Sequence, residues 1–163
     1  MPSDVERTAD SAAAATDFGE SAPAVVAIAG VVDGPIDVDT CVAAVENEHA
    51  GAVVTFAGVV RDHDEGRGVT WLRYSEHPTA DAVLRAVTAD VAAAHPGTTV
   101  AALHRVGDLA IGDVALACAV ASAHRAEAFA ACAALVDEIK ARVPIWKEQG
   151  FVDGSTEWVA SLG

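Results

Sequence analysis

Only two lysines occur in this 163-residue chain, and they stand seven apart in Lys140-Ala-Arg-Val-Pro-Ile-Trp-Lys147. Lysine is ordinarily among the commonest residues, yet here the other fixed cations are eight arginines. A guanidinium keeps its proton in a protein. An ammonium can give its proton up and act as acid, base or nucleophile. Two amines kept beside Pro144-Ile145-Trp146 point to chemistry that needs them. Spacing alone favours an ordinary solvated lysine at a helix end, and the scarcity of lysine brings the two readings level.

Three further groups of cations carry chemical potential. His124-Arg125 follows an apolar run and opens a helical pattern. Free backbone N–H groups at a helix start, with an imidazole and a guanidinium, suit an anion; a capping histidine beside a surface arginine fits the same residues. Arg61 ends an apolar run just before a polar loop, a place where functional side chains are common, though a surface arginine would look the same. His104-Arg105 repeats the dipeptide at a strand end, where neighbours point to opposite faces, and a structural role is expected there. His49, His63, His77 and His95 lack metal-ligand spacing, so no zinc is expected. No P-loop, dinucleotide fingerprint, HExxH or GxSxG pattern occurs. Cys41, Cys118 and Cys132 include no CxxC pair and lie in apolar surroundings, so buried, inert thiols of a reducing compartment are expected.

The elements that would hold these residues are legible in outline. Strands are expected at 24–32, 52–60, 69–75, 99–106 and 114–121 from apolar, β-branched runs. A helix capped by Asp39 should run to about His49, with Val42 and Val45 inward. A second should run from Thr79 to about Ala94, with Val83, Leu84, Val87 and Val91 on its apolar stripe. A third should run from Arg125 to Arg142, with Phe129, Cys132, Val136 and Ile139 inward, and end before Pro144. Asp62 to Gly68 reads as a mobile polar loop, and 143–163 as a short tail with a turn at Asp153-Gly154. The order implies an α+β fold, with helices on a mostly antiparallel or mixed sheet. Residues 1–22 read as a disordered acidic, Ala-rich tail and 23–163 as one domain. The net charge of −14 argues against nucleic acid and membrane surfaces as partners. Without a basic region before an apolar stretch the N-terminus is no signal peptide, and a cytoplasmic location is expected.

Taken together, Gly51-Ala-Val-Val-Thr-Phe-Ala-Gly-Val-Val-Arg61, Leu72-Arg-Tyr74, His104-Arg-Val-Gly107, Ser122-Ala-His-Arg125, Ile139-Lys140, Pro144-Ile-Trp-Lys147 and Asp153-Gly154 with Trp158 resemble the catalytic subunit family of molybdopterin synthase. The resemblance spans about residues 36 to 160. It implies an α/β hammerhead-type fold and a sulfurtransferase of molybdenum-cofactor synthesis, with no metal or other cofactor of its own. The substrate would be cyclic pyranopterin monophosphate. The sulfur donor would be a small ubiquitin-like subunit with a C-terminal Gly-Gly thiocarboxylate. Two sulfurs delivered in turn would form the dithiolene, and a homodimer with a small subunit at each end would make a heterotetramer. Carried over by motif position, Lys140 and Lys147 would be catalytic. Val59, Val60, Arg61, His124, Arg125, Glu148 and Gln149, together with the lysines, would bind substrate. The chain departs from the family pattern at Gln149, where many relatives have glutamate. Two other readings stand beside this one. One is a non-catalytic member that binds a ubiquitin-like partner or an anionic metabolite. The other, from the residues alone, is an enzyme using a lysine Schiff base.

Overall fold

Val114–Ser122 is the most deeply buried strand of the chain, and the rest of the first sheet assembles around it. The computed structural model describes residues 23–160; the expected N-terminal tail lies outside the described residues. In chain order the elements are β1 (Val25–Val32), α1 (Val38–Val45), β2 (Ala52–Val59), β3 (His63–Asp64), β4 (Arg67–Glu76), α2 (Ala80–Ala94), β5 (Thr99–Arg105), β6 (Gly107–Leu109), β7 (Val114–Ser122), α3 (Arg125–Arg142), β8 (Ile145–Phe151) and β9 (Thr156–Ala160). The first sheet has the order β1-β5-β7-β2, with β1 parallel to β5 and the other pairs antiparallel. Its strands alternate between two apolar layers. Val100, Ala102, Leu116, Cys118 and Val120 meet α2 and α3 on one face, while Ala101, Ala117, Ala119 and Ala121 meet Cys41 and Val45 of α1 on the other. The expected α+β class is what the structure has.

A second sheet runs β3-β4-β8-β9, with β6 also on β4. Here the sequence reading needs correction. Within the stretch 143–163 that reads as a short tail, residues 145–160 carry a hairpin, which β8 and β9 form through the expected turn, where Gly154 has φ of 85°. Asp62 to Gly68 is no mobile loop. Glu65 and Gly66 both have positive φ (47° and 77°), the requirement of a tight two-residue hairpin turn, so His63–Asp64 folds back on Arg67–Gly68. Glu-Gly is a weaker hairpin signal than Asn-Gly, which is why the turn went unread. The three residues of β6 begin at Gly107, whose φ of 93° lets the chain leave the first sheet and join the second.

Helix ends also moved. Asp37, not Asp39, caps α1 by accepting from Thr40 N at 2.6 Å. The helix stops at Val45 because Asn47 takes the backbone in its own bonds, donating to Val45 O and accepting from His49 N. Thr79 precedes α2 without a side-chain cap bond. In α3 the inward stripe is Ala128, Ala131, Cys132, Leu135, Val136 and Ile139, and Phe129 is 61% exposed. Residue 129 sits about 100° around the helix from 128, and the small alanines let the helix lie close to the sheet instead. All three cysteines are buried as expected, and burial pushes the Cys41 thiol up to about 11. Among the described residues no helix is long and apolar enough to cross a membrane.

Candidate active site

The two sheets leave a cavity of about 320 Å³ between them, and both lysines line it. Lys140 comes from the last turn of α3 and Lys147 from the third position of β8. Val143 closes the helix through Val143 N to Ile139 O, and Pro144 turns the chain straight into the strand. The seven-residue spacing therefore spans a helix-to-strand corner, and the two amines approach one space from different walls. Register fixes the second wall, since Lys147 pairs with Tyr74 and Gln149 with Leu72. All four residues line the cavity.

The mouth is built by the end of β2. Val59, Val60 and Arg61 all line the cavity, with Val60 buried and Val59 exposed. Arg61 Nη2 donates to Asp64 Oδ1 at 3.0 Å, and Asp64 Oδ2 accepts from Gln149 Nε2 at 2.6 Å. The Gln149 amide, then Arg61 and the nearby Lys147 charge, hold the Asp64 carboxyl below its ordinary value despite its burial. Asp64 therefore stays an anion, and the guanidinium stays anchored, through the neutral range.

His104 was expected to be structural, yet it lines the cavity and is only 1% exposed. Its Nδ1–H donates to Arg105 O at 2.8 Å, and its ring meets Tyr74 edge-on at 5.1 Å. Burial first, and the Lys140 charge second, drive its pKa down to about 4, against the backbone bond that favours the proton. The imidazole is thus neutral and leaves Nε2 as an acceptor. Its neighbour Arg105 faces the other way, toward Asp113 at 3.2 Å, as strand alternation requires. His104 could have been found by asking which of the two faces the core. Asp64 could not, because its place depends on the unread hairpin.

Three expected site residues are not at this cavity within one chain. Glu148 lies on the opposite face of β8 from Lys147 and Gln149, across from Arg73 and Trp158, because strand neighbours alternate. His124 and Arg125 open α3, fifteen residues from Lys140 and so about 22 Å along the helix. Both are exposed, and His124 makes no side-chain cap bond. The start of α3 is held to α2 by His95 Nδ1 and Glu127 Oε1 at 2.7 Å.

The family model described as MoaE protein matches residues 31–142. The molybdopterin synthase catalytic subunit 1 of Mycobacterium tuberculosis is 39% identical over 132 residues, 79% of this chain and 88% of that protein. The molybdopterin synthase catalytic subunit of Staphylococcus carnosus is 41% identical over 114 residues, 69% of this chain and 75% of that protein. The X-ray crystal structure of molybdopterin synthase from Staphylococcus aureus matches the fold with a TM-score of 0.76 at 34% identity, covering 81% of this chain and 96% of that one.

The buried imidazole sets a pH signature. His104 has a lower pKa folded than unfolded, so between about 6.5 and 4 the unfolded chain binds the proton that the folded one refuses. Its contribution is present above about pH 6.5 and lost as pH falls towards 4, up to about 3 kcal/mol in all. Urea unfolding at pH 7.5 and pH 4.5 should show this loss, and His104→Gln should reduce it. An equal loss in the variant would show that His104 is not the group responsible.

Proposed function

The chain belongs to the MoaE protein family, and we propose that it works as the catalytic subunit of a molybdopterin synthase, with the cavity between its two sheets as the place where sulfur is transferred. The observation that carries this reading is the meeting of Lys140 and Lys147 in one cavity from two different elements. The substrate is cyclic pyranopterin monophosphate. The sulfur comes from the C-terminal Gly-Gly thiocarboxylate of a small ubiquitin-like subunit. A Gly-Gly tail brings no side chains into the cavity, and the three buried thiols offer no rival carrier for the sulfur. Those reduced, unpaired thiols also fit a cytoplasmic setting.

Each transfer forms a carbon–sulfur bond to the pterin as an oxygen substituent leaves that carbon with its bonding electrons, and then breaks the bond between that sulfur and the tail carbonyl as water attacks the carbonyl and leaves the tail as a carboxylate. The tetrahedral centre at the carbonyl carries developing negative charge, and the leaving groups need protons. Lys140, held at the helix end beside the neutral His104, is assigned the proton transfers. Lys147, fixed by the β8–β4 register, is assigned to stabilise charge on substrate or intermediate. Arg61, anchored by Asp64 at the mouth, binds an anionic group of the pterin, and Val59 and Val60 form the adjoining wall. Repeating the cycle with a second small subunit completes the dithiolene.

His124 and Arg125 enter this scheme through a second copy of the chain. They lie at the far end of α3 within one protomer, so their role in binding the pterin phosphate requires a homodimer in which each cavity is finished by its partner. With one small subunit at each end, the assembly is a heterotetramer.

The lysine roles separate by substitution. Lys140→Ala should lower turnover by on the order of 10²-fold or more. Lys140→Arg should fail nearly as badly, because it keeps charge but cannot exchange the proton, whereas Lys147→Arg should retain more activity than Lys147→Ala. Single-turnover assays with thiocarboxylated small subunit measure all four. Near-normal turnover by Lys140→Arg would remove Lys140 from proton transfer.

The shared cavity is tested by mixing. Assayed with pterin well below saturation, Lys140→Ala and Arg125→Ala protomers, each strongly impaired alone, should regain roughly a quarter of wild-type turnover after subunit exchange. Half of randomly formed dimers are mixed, and each of those has one intact cavity of two. No recovery in dimers shown to have exchanged would place Arg125 outside the cavity.

A further inference from the structure

Gln149 is one position where the sequence departs from the pattern of the family it resembles, and its surroundings give a physical reason for an amide there. The side chain is 1% exposed, on the inner face of β8. Its single amide nitrogen donates to Asp64 Oδ2 at 2.6 Å and to Glu157 Oε2 at 3.3 Å. An NH2 group has two hydrogens, and here each is directed at a carboxylate. A carboxylate in its place would add a third anion within hydrogen-bond distance of two others, with no proton between them.

The chain of contacts continues to the cavity. Asp64 uses its other oxygen to accept from Arg61. The Arg61 side chain is 65% exposed and that of Asp64 only 20%. An ion pair with so exposed a partner holds geometry poorly by itself. What distinguishes this one is that the carboxylate is fixed from behind by a buried donor. We propose that Gln149 is a positioning residue: its buried amide fixes Asp64, and Asp64 in turn sets the Arg61 guanidinium at the cavity mouth to receive the anionic group of the substrate. The inference rests on the assignment of Arg61 to substrate binding made above.

The charges facing Asp64 are Arg61 from the end of β2, Lys147 from β8 and, through the shared amide, Glu157 from β9. His63, beside it on β3, is turned to Asp62 at 2.8 Å. Glu157 is met in turn by Arg67 at 3.9 Å, whose guanidinium lies over the Phe151 ring.

Gln149→Glu converts this arrangement into a pH-sensitive one. At low pH the new carboxyl keeps a proton, donates it to Asp64, and Arg61 stays in place. As pH rises through the raised pKa of the carboxyl cluster, the proton is lost, the carboxylates repel, and Arg61 is released. KM for the pterin phosphate should be close to wild type at pH 5.5 and rise about tenfold by pH 8, the scale of one charge-assisted contact. The change in kcat should be smaller, and the wild type should show no such rise. Asp64→Asn combined with Gln149→Glu reverses donor and acceptor and should remove the rise. In an Arg61→Ala background Gln149→Glu should add nothing further. A pH-independent KM in Gln149→Glu, or effects that simply add to those of Arg61→Ala, would overturn the proposal. The clamp is also read without substrate or variant: in the wild type, the ¹⁵N–¹H signals of the Gln149 side-chain amide should shift as the Asp64 carboxyl titrates below its ordinary range. Amide signals blind to that titration would overturn it whatever the reaction is. If they shift but the wild type converts no pterin, the functional reading fails instead, and the dependence of inorganic phosphate binding on Gln149 and Arg61 decides the remaining link.

Discussion

The pairing of β8 with β4 is the constraint on which the cavity depends. It closes the second sheet over the ends of β2, β5 and β7, and sets Lys147 opposite Tyr74 and Gln149 opposite Leu72. A slip of one residue would turn Lys147 and Gln149 outward and bring Trp146 and Glu148 in. Several features resist that slip. Pro144 ends α3 and starts the strand, while His77 N donates to Pro144 O and pins the corner. At the other end Val152 N donates to Gly68 O. Near that end the Trp71 indole lies so close over Gly150 that a Cβ would overlap it. The helix, the corner and the strand act as one device that presents two amines to one space.

Electrostatics then select what enters. The chain as a whole carries −14, a field that repels anions and argues against broad polyanion binding. Within the cavity the balance is reversed by Arg61, Lys140 and Lys147 against Asp64, whose charge is already committed to Arg61 and Gln149. A neutral His104 adds an acceptor without adding charge. The cationic character of the cavity is therefore local, created by where the few cations were placed.

The sequence disclosed the two amines of the cavity better than the walls around them. Lysine scarcity led to Lys140 and Lys147, and apolar runs led to the first sheet and to α2 and α3, because those signals are intrinsic to the local chain. The second sheet was hidden. Its strands β8 and β9 are short, carry polar residues such as Lys147, Gln149 and Glu157 on their inner face, and so lack the alternation that marks a strand. With β8 unread, the outward turn of Glu148 and the inward turn of Gln149 could not be assigned. Asp64 vanished into what read as a loop. Phe129 falls at 3–4 spacing with Cys132, Val136 and Ile139 and so read as inward, whereas α3 turns Ala128 and Ala131 to the sheet in its place. His124 and Arg125 were grouped with Arg61 by motif, and only the length of α3 shows that one chain cannot bring them together.

The measurement that tests the central claim most directly is conversion of cyclic pyranopterin monophosphate by this chain mixed with a small subunit bearing a C-terminal Gly-Gly thiocarboxylate. The account predicts a dithiolene product containing two sulfurs per pterin, with none formed when the small subunit ends in an ordinary carboxylate. Pterin recovered unchanged from a complex that binds both the substrate and the thiocarboxylated tail would contradict it.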